Sequence, residues 1–249
     1  MRTILVVVYF VLALVFVLPW FILWTLLTGN PDQMWNVAMR AVRFAMRLGG
    51  VRVRVEGLDN IPPGVCVFAA NHISNVDPTA FVPAIPRRVS LLVKKELFSV
   101  PILATAMRLA QFVLVDREDK EAAASSVDKA VALLKQGTSF AVYPEGTRSP
   151  DGRLRPFKRG AFVMAIQTGV PVVPVSIVGA QTLMRKGDWR LYPGEVIVRF
   201  GPAVDASKYS MEQRGELRAR VEALVAAGLP EDQLPLPSAS PHESEHPTR

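Results

Sequence analysis

Val65-Cys66-Val67-Phe68-Ala69-Ala70, followed by Asn71-His72-Ile73-Ser74-Asn75-Val76-Asp77-Pro78, is the stretch on which the reading of this chain turns. The uncharged apolar run reads as a buried strand and the polar residues after it as the loop at its exit. Asp77-Pro78 reads as a helix entrance, because proline suits the first helical turn and disfavours helix in the residue before it. His72 is the only histidine outside the polar tail, where His242 and His246 lie. On one continuous helix, at ~3.6 residues per turn, His72 and Asp77 would point well apart, whereas a loop lets the carboxylate reach the imidazole. Asp77 would then keep one ring nitrogen protonated and leave the other free to take a proton from a hydroxyl near neutral pH. Taken alone, the pair is also compatible with coincidence and with Asp77 as a plain N-cap.

Outward from this stretch, short apolar runs alternate with helical patterns. Strands are predicted at Val51–Val55, Val65–Ala70, Val89–Val93, Phe112–Val115, Phe140–Tyr143, Val170–Ile177 and Val196–Phe200, with helices over Phe98–Leu109, Lys120–Gln136 and Gly160–Thr168. The alternation predicts one α/β domain with a central, largely parallel or mixed sheet flanked by helices. In such sheets the strand exits collect the functional loops.

N-terminal membrane helices are expected ahead of this domain. Ile4 to Leu27 carries no charge, and as a helix it would run ~36 Å, enough to span a bilayer. Pro19 leaves a bent, re-entrant arrangement open. The run exceeds a signal-peptide core, and no small-residue cleavage site follows it. Gln33 to Leu48 alternates apolar residues with Arg40, Arg43 and Arg47 at helical spacing, which predicts an interfacial helix with its arginines toward lipid phosphates; packing on the domain is the competing reading. The excess of arginine after the apolar run places the body on the cytoplasmic face of an inner membrane. The expected organisation is 1–29 membrane-embedded helix, 30–50 interfacial helix, 51–228 catalytic domain and 229–249 disordered tail.

Composition narrows the function. Net charge is +7 over 249 residues, and the segment from Leu229 onward carries −3, so the body carries +10. That suits an anionic partner, and the apolar N-terminus favours lipid over nucleic acid. Cys66, the single cysteine, sits inside the apolar run and reads as core, so neither a disulfide, a thiol nucleophile nor a structural metal is expected. No Gly-x-Ser-x-Gly occurs, which argues against a serine hydrolase.

Two further stretches repeat the pattern of function at a strand exit. Tyr143-Pro144-Glu145-Gly146-Thr147-Arg148-Ser149 follows an apolar run; Gly146 lets a ligand approach the backbone and Arg148 offers a planar fork for an oxyanion. Lys158 and Arg159 stand at a helix entrance, and Arg117 follows the run Phe112–Val115.

Together these motifs resemble the glycerolipid acyltransferase family, in the branch that acylates 1-acylglycerol-3-phosphate. Asn71, His72 and Asp77 match the family's Asn-His-x4-Asp, Tyr143 to Ser149 matches its Phe-Pro-Glu-Gly-Thr-Arg-Ser with Tyr for Phe, Val170 to Val175 matches its Val-Pro-x-x-Pro-Val strand, and Lys94 to Leu97 resembles its Lys-Lys-Glu-Leu. One block departs from the pattern, with Gln111 where the family usually has Gly. The resemblance implies transfer of an acyl chain from a thioester to the sn-2 hydroxyl of lysophosphatidate, giving phosphatidic acid in phospholipid biosynthesis. It assigns His72 as general base and Asp77 as its partner, with Arg117, Glu145, Gly146, Thr147 and Arg148 at the acceptor. Lys94, Lys158 and Arg159 are further candidate substrate cations. It implies no protein-bound cofactor, with acyl-CoA or acyl-acyl carrier protein as donor. Another lysolipid or glycerol-3-phosphate as acceptor is the alternative reading, and a non-catalytic membrane-binding protein the lesser one.

Overall fold

The computed structural model describes residues 1–115, 120–184 and 187–235. Strands form at Val51–Glu56 (β1), Val67–Ala70 (β2), Val89–Lys94 (β3), Val113–Val115 (β4), Ser139–Val142 (β5), Val172–Val178 (β6) and Gly194–Phe200 (β7). They make one sheet in the order β1-β7-β6-β2-β5-β3-β4. Neighbours are parallel except β6 and β7, which are antiparallel. The sheet is therefore mixed, with β1 and β7 running against the other five.

Every residue of β2 is buried, as expected of a central strand covered on both faces, where alternation gives way to continuous apolar sequence. Cys66, Phe68 and Ala70 point to one side, where they meet Met34, Trp35, Ala45 and Met46 of the helix Asp32–Leu48 and Ala80 and Phe81 of the helix Asp77–Ala84. Val67 and Ala69 point to the other, against helices Lys120–Lys135, Gly160–Thr168 and Arg214–Ala227. Each side of β2 thus builds one layer of core, and the strand's free end projects from between them.

The N-terminal segment is helical over Arg2–Leu12 (α1) and Leu18–Thr28 (α2), joined by a π turn at Ala13–Val17. The π turn lies just ahead of Pro19, whose missing N–H leaves the helical ladder incomplete there. Asp32–Leu48 (α3) runs back beside it, and α1 and α2 both pack on α3. Near one end, Leu191 N–H donates to Thr3 Oγ1 (3.0 Å) and Val6 is buried; near the other, Thr25 is buried and Phe21 and Ile22 pack on the core. The other flank remains uncovered, with Phe16, Trp20, Leu26 and Leu27 exposed.

Three features add to the expectations. The helix α3 packs on the domain through Met34, Trp35, Ala45 and Met46, and the Arg43 guanidinium turns inward to donate to the Pro83 carbonyl. The chain remains ordered beyond residue 228: Leu154 N–H donates to the Gln233 carbonyl (2.8 Å), Arg153 donates to the Leu234 carbonyl and Gln233 is buried. One main-chain bond and one from a guanidinium thus hold residues 229–235 on the body, and the rest of the expected tail lies outside the described residues. Finally, Arg214–Ala227 was not anticipated; its core stripe of Leu217, Val221 and Val225 at four-residue spacing is masked by the charged residues between.

Candidate active site

The site grows from the end of β2. One residue past it, Asn71 donates through Nδ2 to the Ile177 carbonyl (3.0 Å) and accepts the Ile177 N–H at Oδ1 (2.7 Å). A side-chain amide here replaces a backbone unit and extends the pairing with β6 as the chain leaves the sheet. His72 follows at the rim.

Asp77 opens the helix Asp77–Ala84 (α4) with Pro78 behind it. Its carboxylate folds back toward the loop, so that Oδ2 accepts N–H groups from His72 Nδ1 (2.8 Å), Ile73 (2.7 Å) and Ser74 (2.8 Å). These donors lie upstream of the helix, so Asp77 shapes the loop and is not a helix cap. Convergence of donors on one oxygen is the environment of an anion. The group is fully buried, and desolvation pushes its carboxyl up against those hydrogen bonds. Because an ionised carboxylate only accepts, Nδ1 carries the proton and Nε2 presents its lone pair at the surface of the site. The His72 side chain is 13% exposed, enough for a substrate hydroxyl to reach one edge of a ring otherwise held in place.

The loop after β5 clamps this arrangement. The Tyr143 ring stacks on His72 with centroids 4.1 Å apart and planes at 22°. Burial raises the Tyr143 phenol further above its ordinary range, with Asp77 adding to the effect. His72 N–H donates to Glu145 Oε1 (2.6 Å), and Ser149 N–H donates to the His72 carbonyl (2.8 Å). Glu145, expected at the acceptor, is thus turned into the protein, where it is 3% exposed. Burial drives its carboxyl up to about 8, against the hydrogen bond from His72. Sequence reasoning missed this tie and the roles of Tyr143 and Asn71; all three stood in the quoted motifs, but nothing in a motif says which residue faces substrate and which faces protein.

Gly146 adopts φ +75°, and a Cβ there would stand 2.9 Å from Lys158 Nζ. The absence of a side chain lets the ammonium lie over the loop, which Lys158 also grips by donating its N–H to the Pro144 carbonyl (2.8 Å). Thr147 is exposed and Arg148 half-buried beside it, the latter without an ion-pair partner among the described residues. Arg159 is exposed and precedes the helix Gly160–Thr168. Lys94 ends β3 and pairs with Glu96 at the surface (2.9 Å). Arg117 lies outside the described residues. Under the same loop, Tyr143, Val142, Leu92, Val115, Val127, Gly146 and Lys158 line an apolar cavity of about 260 Å³. Among the described residues no cluster of three His, Cys, Asp or Glu could hold a metal ion.

Gln111, at the family's usual glycine position, has φ +62°. That backbone explains the usual glycine, because left-handed conformations carry no penalty there. Here the side chain compensates: Gln111 Oε1 accepts from Arg88 (3.2 Å) and Thr138 (2.9 Å), and its carbonyl accepts from Ser90 (2.6 Å).

A mixed α/β sheet with a histidine–carboxylate pair at a central strand exit and a glycine–arginine loop beside it defines the class. The acyltransferase family profile matches residues 52–178, and the chain belongs to that family. Its relatives narrow the comparison. The 1-acyl-sn-glycerol-3-phosphate acyltransferase of Pseudomonas aeruginosa is 34% identical over 194 residues, 76% of this chain and 75% of that protein. Human 1-acyl-sn-glycerol-3-phosphate acyltransferase alpha is 34% identical over 70% of this chain and 62% of its own length. The crystal structure of the 1-acyl-sn-glycerophosphate (LPA) acyltransferase PlsC from Thermotoga maritima superposes with a TM-score of 0.77 at 31% identity, covering 92% of this chain and 96% of that one.

Proposed function

We propose that this protein is a 1-acylglycerol-3-phosphate acyltransferase, transferring an acyl chain from a thioester to the free sn-2 hydroxyl and yielding phosphatidic acid. The observation that carries the reading is the His72–Asp77 pair: one ring nitrogen is committed to a buried carboxylate and the other is free at the rim. The acceptor hydroxyl gives its proton to His72 Nε2 as its oxygen attacks the thioester carbonyl carbon. The carbonyl electrons move onto oxygen, then return to re-form the double bond as the carbon–sulfur bond breaks. The proton on Nε2 passes to the departing thiolate, which restores the base. Asp77 stabilises the transient imidazolium, and no protein nucleophile or bound cofactor takes part. Glu145 holds the histidine's main chain, while Arg148, with Lys158 near it, supplies positive charge for the acceptor phosphate. The apolar cavity beside Tyr143 suits the hydrocarbon of a substrate, and the donor is acyl-CoA or an acyl carrier protein.

The N-terminal helix, apolar beyond Arg2 and Thr3, makes the protein membrane-associated. It lies in one leaflet of the inner membrane with the catalytic domain on the cytoplasmic face. The support for this is α3, which runs beside α1 and α2; an upright span would draw the exposed Arg40, midway along α3, into hydrocarbon, at ~2.5 kcal/mol or more. The deciding assay is release of free thiol by the purified protein with and without lysophosphatidate. Thiol release strictly dependent on the acceptor supports transfer; equal release in its absence would make the protein a thioesterase.

A further inference from the structure

A second cationic site stands at the far edge of the sheet from the catalytic loop. Gly50, at φ +77° between α3 and β1, leaves room for the Arg2 guanidinium: a Cβ on Gly50 would be 2.9 Å from Arg2 Nη1 and 3.0 Å from Pro193. Arg47, from the last turn of α3, and Arg52, from β1, face the same cleft, which measures about 390 Å³ and is completed by Val51 and Pro193. None of the three arginines has an ion-pair partner among the described residues. Glu195, the carboxylate beside Arg52 in the register of β1 and β7, makes no salt bridge to it.

The surroundings of the cleft point to what fills it. Arg2 also lines an adjoining depression of about 410 Å³, whose other walls include Trp189, Arg190 and Tyr192, and Trp189 and Tyr192 are exposed. Exposed tryptophan and tyrosine beside unpaired arginine is the composition of a bilayer's headgroup zone. From Arg2 the uncovered apolar flank of α1 and α2 leads directly away. Val51 pairs with Gly194, at the start of β7, which lies beyond the exit of β6; the cleft therefore opens toward the same end of the sheet as His72. Three strand spacings of ~4.8 Å separate it laterally from the catalytic strand.

We propose that Arg2, Arg47 and Arg52 form a binding site for the phosphodiester headgroup of an anionic bilayer phospholipid, separate from the site of acyl transfer. Guanidinium forks converging on one point recognise phosphate oxygens by paired hydrogen bonds. The aromatic wall from Trp189 to Tyr192 sets the depth at which a headgroup meets them. The site uses a lipid the enzyme does not consume, and so ties the active-site end of the sheet to an acidic membrane surface.

The test is calorimetric titration of the detergent-purified full-length chain with monomeric dihexanoylphosphatidylglycerol, dihexanoylphosphatidylcholine and inorganic phosphate. Phosphatidylglycerol is expected to bind at least tenfold more tightly than either of the others. Each lost cation is expected to weaken that binding about fivefold, and Arg47→Gln with Arg52→Gln about twenty-five-fold. The same double variant is expected to keep its activity toward lysophosphatidate in detergent. Arg148→Ala serves as the converse: it is expected to keep phosphatidylglycerol binding while kcat/KM for lysophosphatidate falls at least tenfold. This separates failure of the headgroup site from failure of the proposed enzymatic reading. Unchanged phosphatidylglycerol affinity in the double variant overturns the proposal, as does inorganic phosphate binding as tightly as the lipid. If the double variant does not fold, Arg2→Gln alone carries the test: a fivefold loss supports the site and no loss overturns it.

Discussion

Replacing Glu145 by Gln isolates a displaced carboxyl beside the catalytic base. The folded protein holds this proton with a pKa of about 8, against an ordinary value of 4.5. Between those values the native state binds more protons than the unfolded chain, so the group's contribution is greatest at low pH and is lost as pH rises toward 8. At ~1.4 kcal/mol per pH unit, the loss between pH 5 and pH 8 is on the order of 3 kcal/mol. Gln keeps an oxygen for the His72 N–H but cannot ionise. For a chain of this size ~2 to 4 °C of Tm corresponds to each kcal/mol. The wild type should therefore lose ~6 to 12 °C more than Glu145→Gln as pH is raised across that range. Thermal unfolding of both proteins in the same detergent at several pH values measures this. Parallel Tm curves would refute the reasoning, because they would mean that Glu145 ionises in the folded protein at its ordinary pH.

The remaining expectations concern single side chains and the N-terminal segment. His72→Ala should reduce kcat by several orders of magnitude without lowering Tm, and adding Asp77→Asn should cost little more, since residues acting as one unit are strongly non-additive; steady-state kinetics of the single and double variants decide. Arg148→Ala should lower kcat/KM for lysophosphatidate roughly ten- to a hundred-and-fifty-fold while leaving monoacylglycerol nearly unaffected; equal losses on both acceptors would make Arg148 structural. Gln111→Ala and Gln111→Gly both lose the bonds to Arg88 and Thr138, but only alanine is strained by the left-handed backbone, so it should be less stable than Gln111→Gly by ~1 kcal/mol, read from denaturation midpoints. Removal of Met1 to Gly29 should weaken membrane attachment and also lower domain stability, because Phe21 and Ile22 pack on the core; an unchanged Tm would show that the helix is an appendage.

What was legible in the sequence follows from what single residues can report. The strands were visible because β2, β5 and β6 are covered on both faces and so are written as uninterrupted apolar runs. The His72–Asp77 pair was visible because a lone histidine after such a run, with a carboxylate one loop away, restricts its own geometry. The face of α3 was not, because an amphipathic stripe looks the same whether it meets lipid or a sheet. The inward turn of Glu145 was hidden for a similar reason: a carboxylate in a loop can bind a substrate or a backbone amide, and its bond from the His72 N–H is a matter of tertiary structure. Arg214–Ala227 escaped because three apolar residues among many charges carry little periodic signal, although each is fully buried once the sheet is in place.

The two hydrogen bonds through the main chain of His72, one from its N–H to Glu145 and one from Ser149 to its carbonyl, bear on how the site comes apart. A residue whose peptide groups are both held by a loop from another strand cannot be released by fraying of its own loop alone. Hydrogen exchange at the residue 72 amide should therefore follow the detachment of the Tyr143–Ser149 loop, in the manner of a latch read from its far side. An acceptor that steadies Arg148 would slow that exchange without touching the histidine. A single amide proton thus reports occupancy of the neighbouring loop.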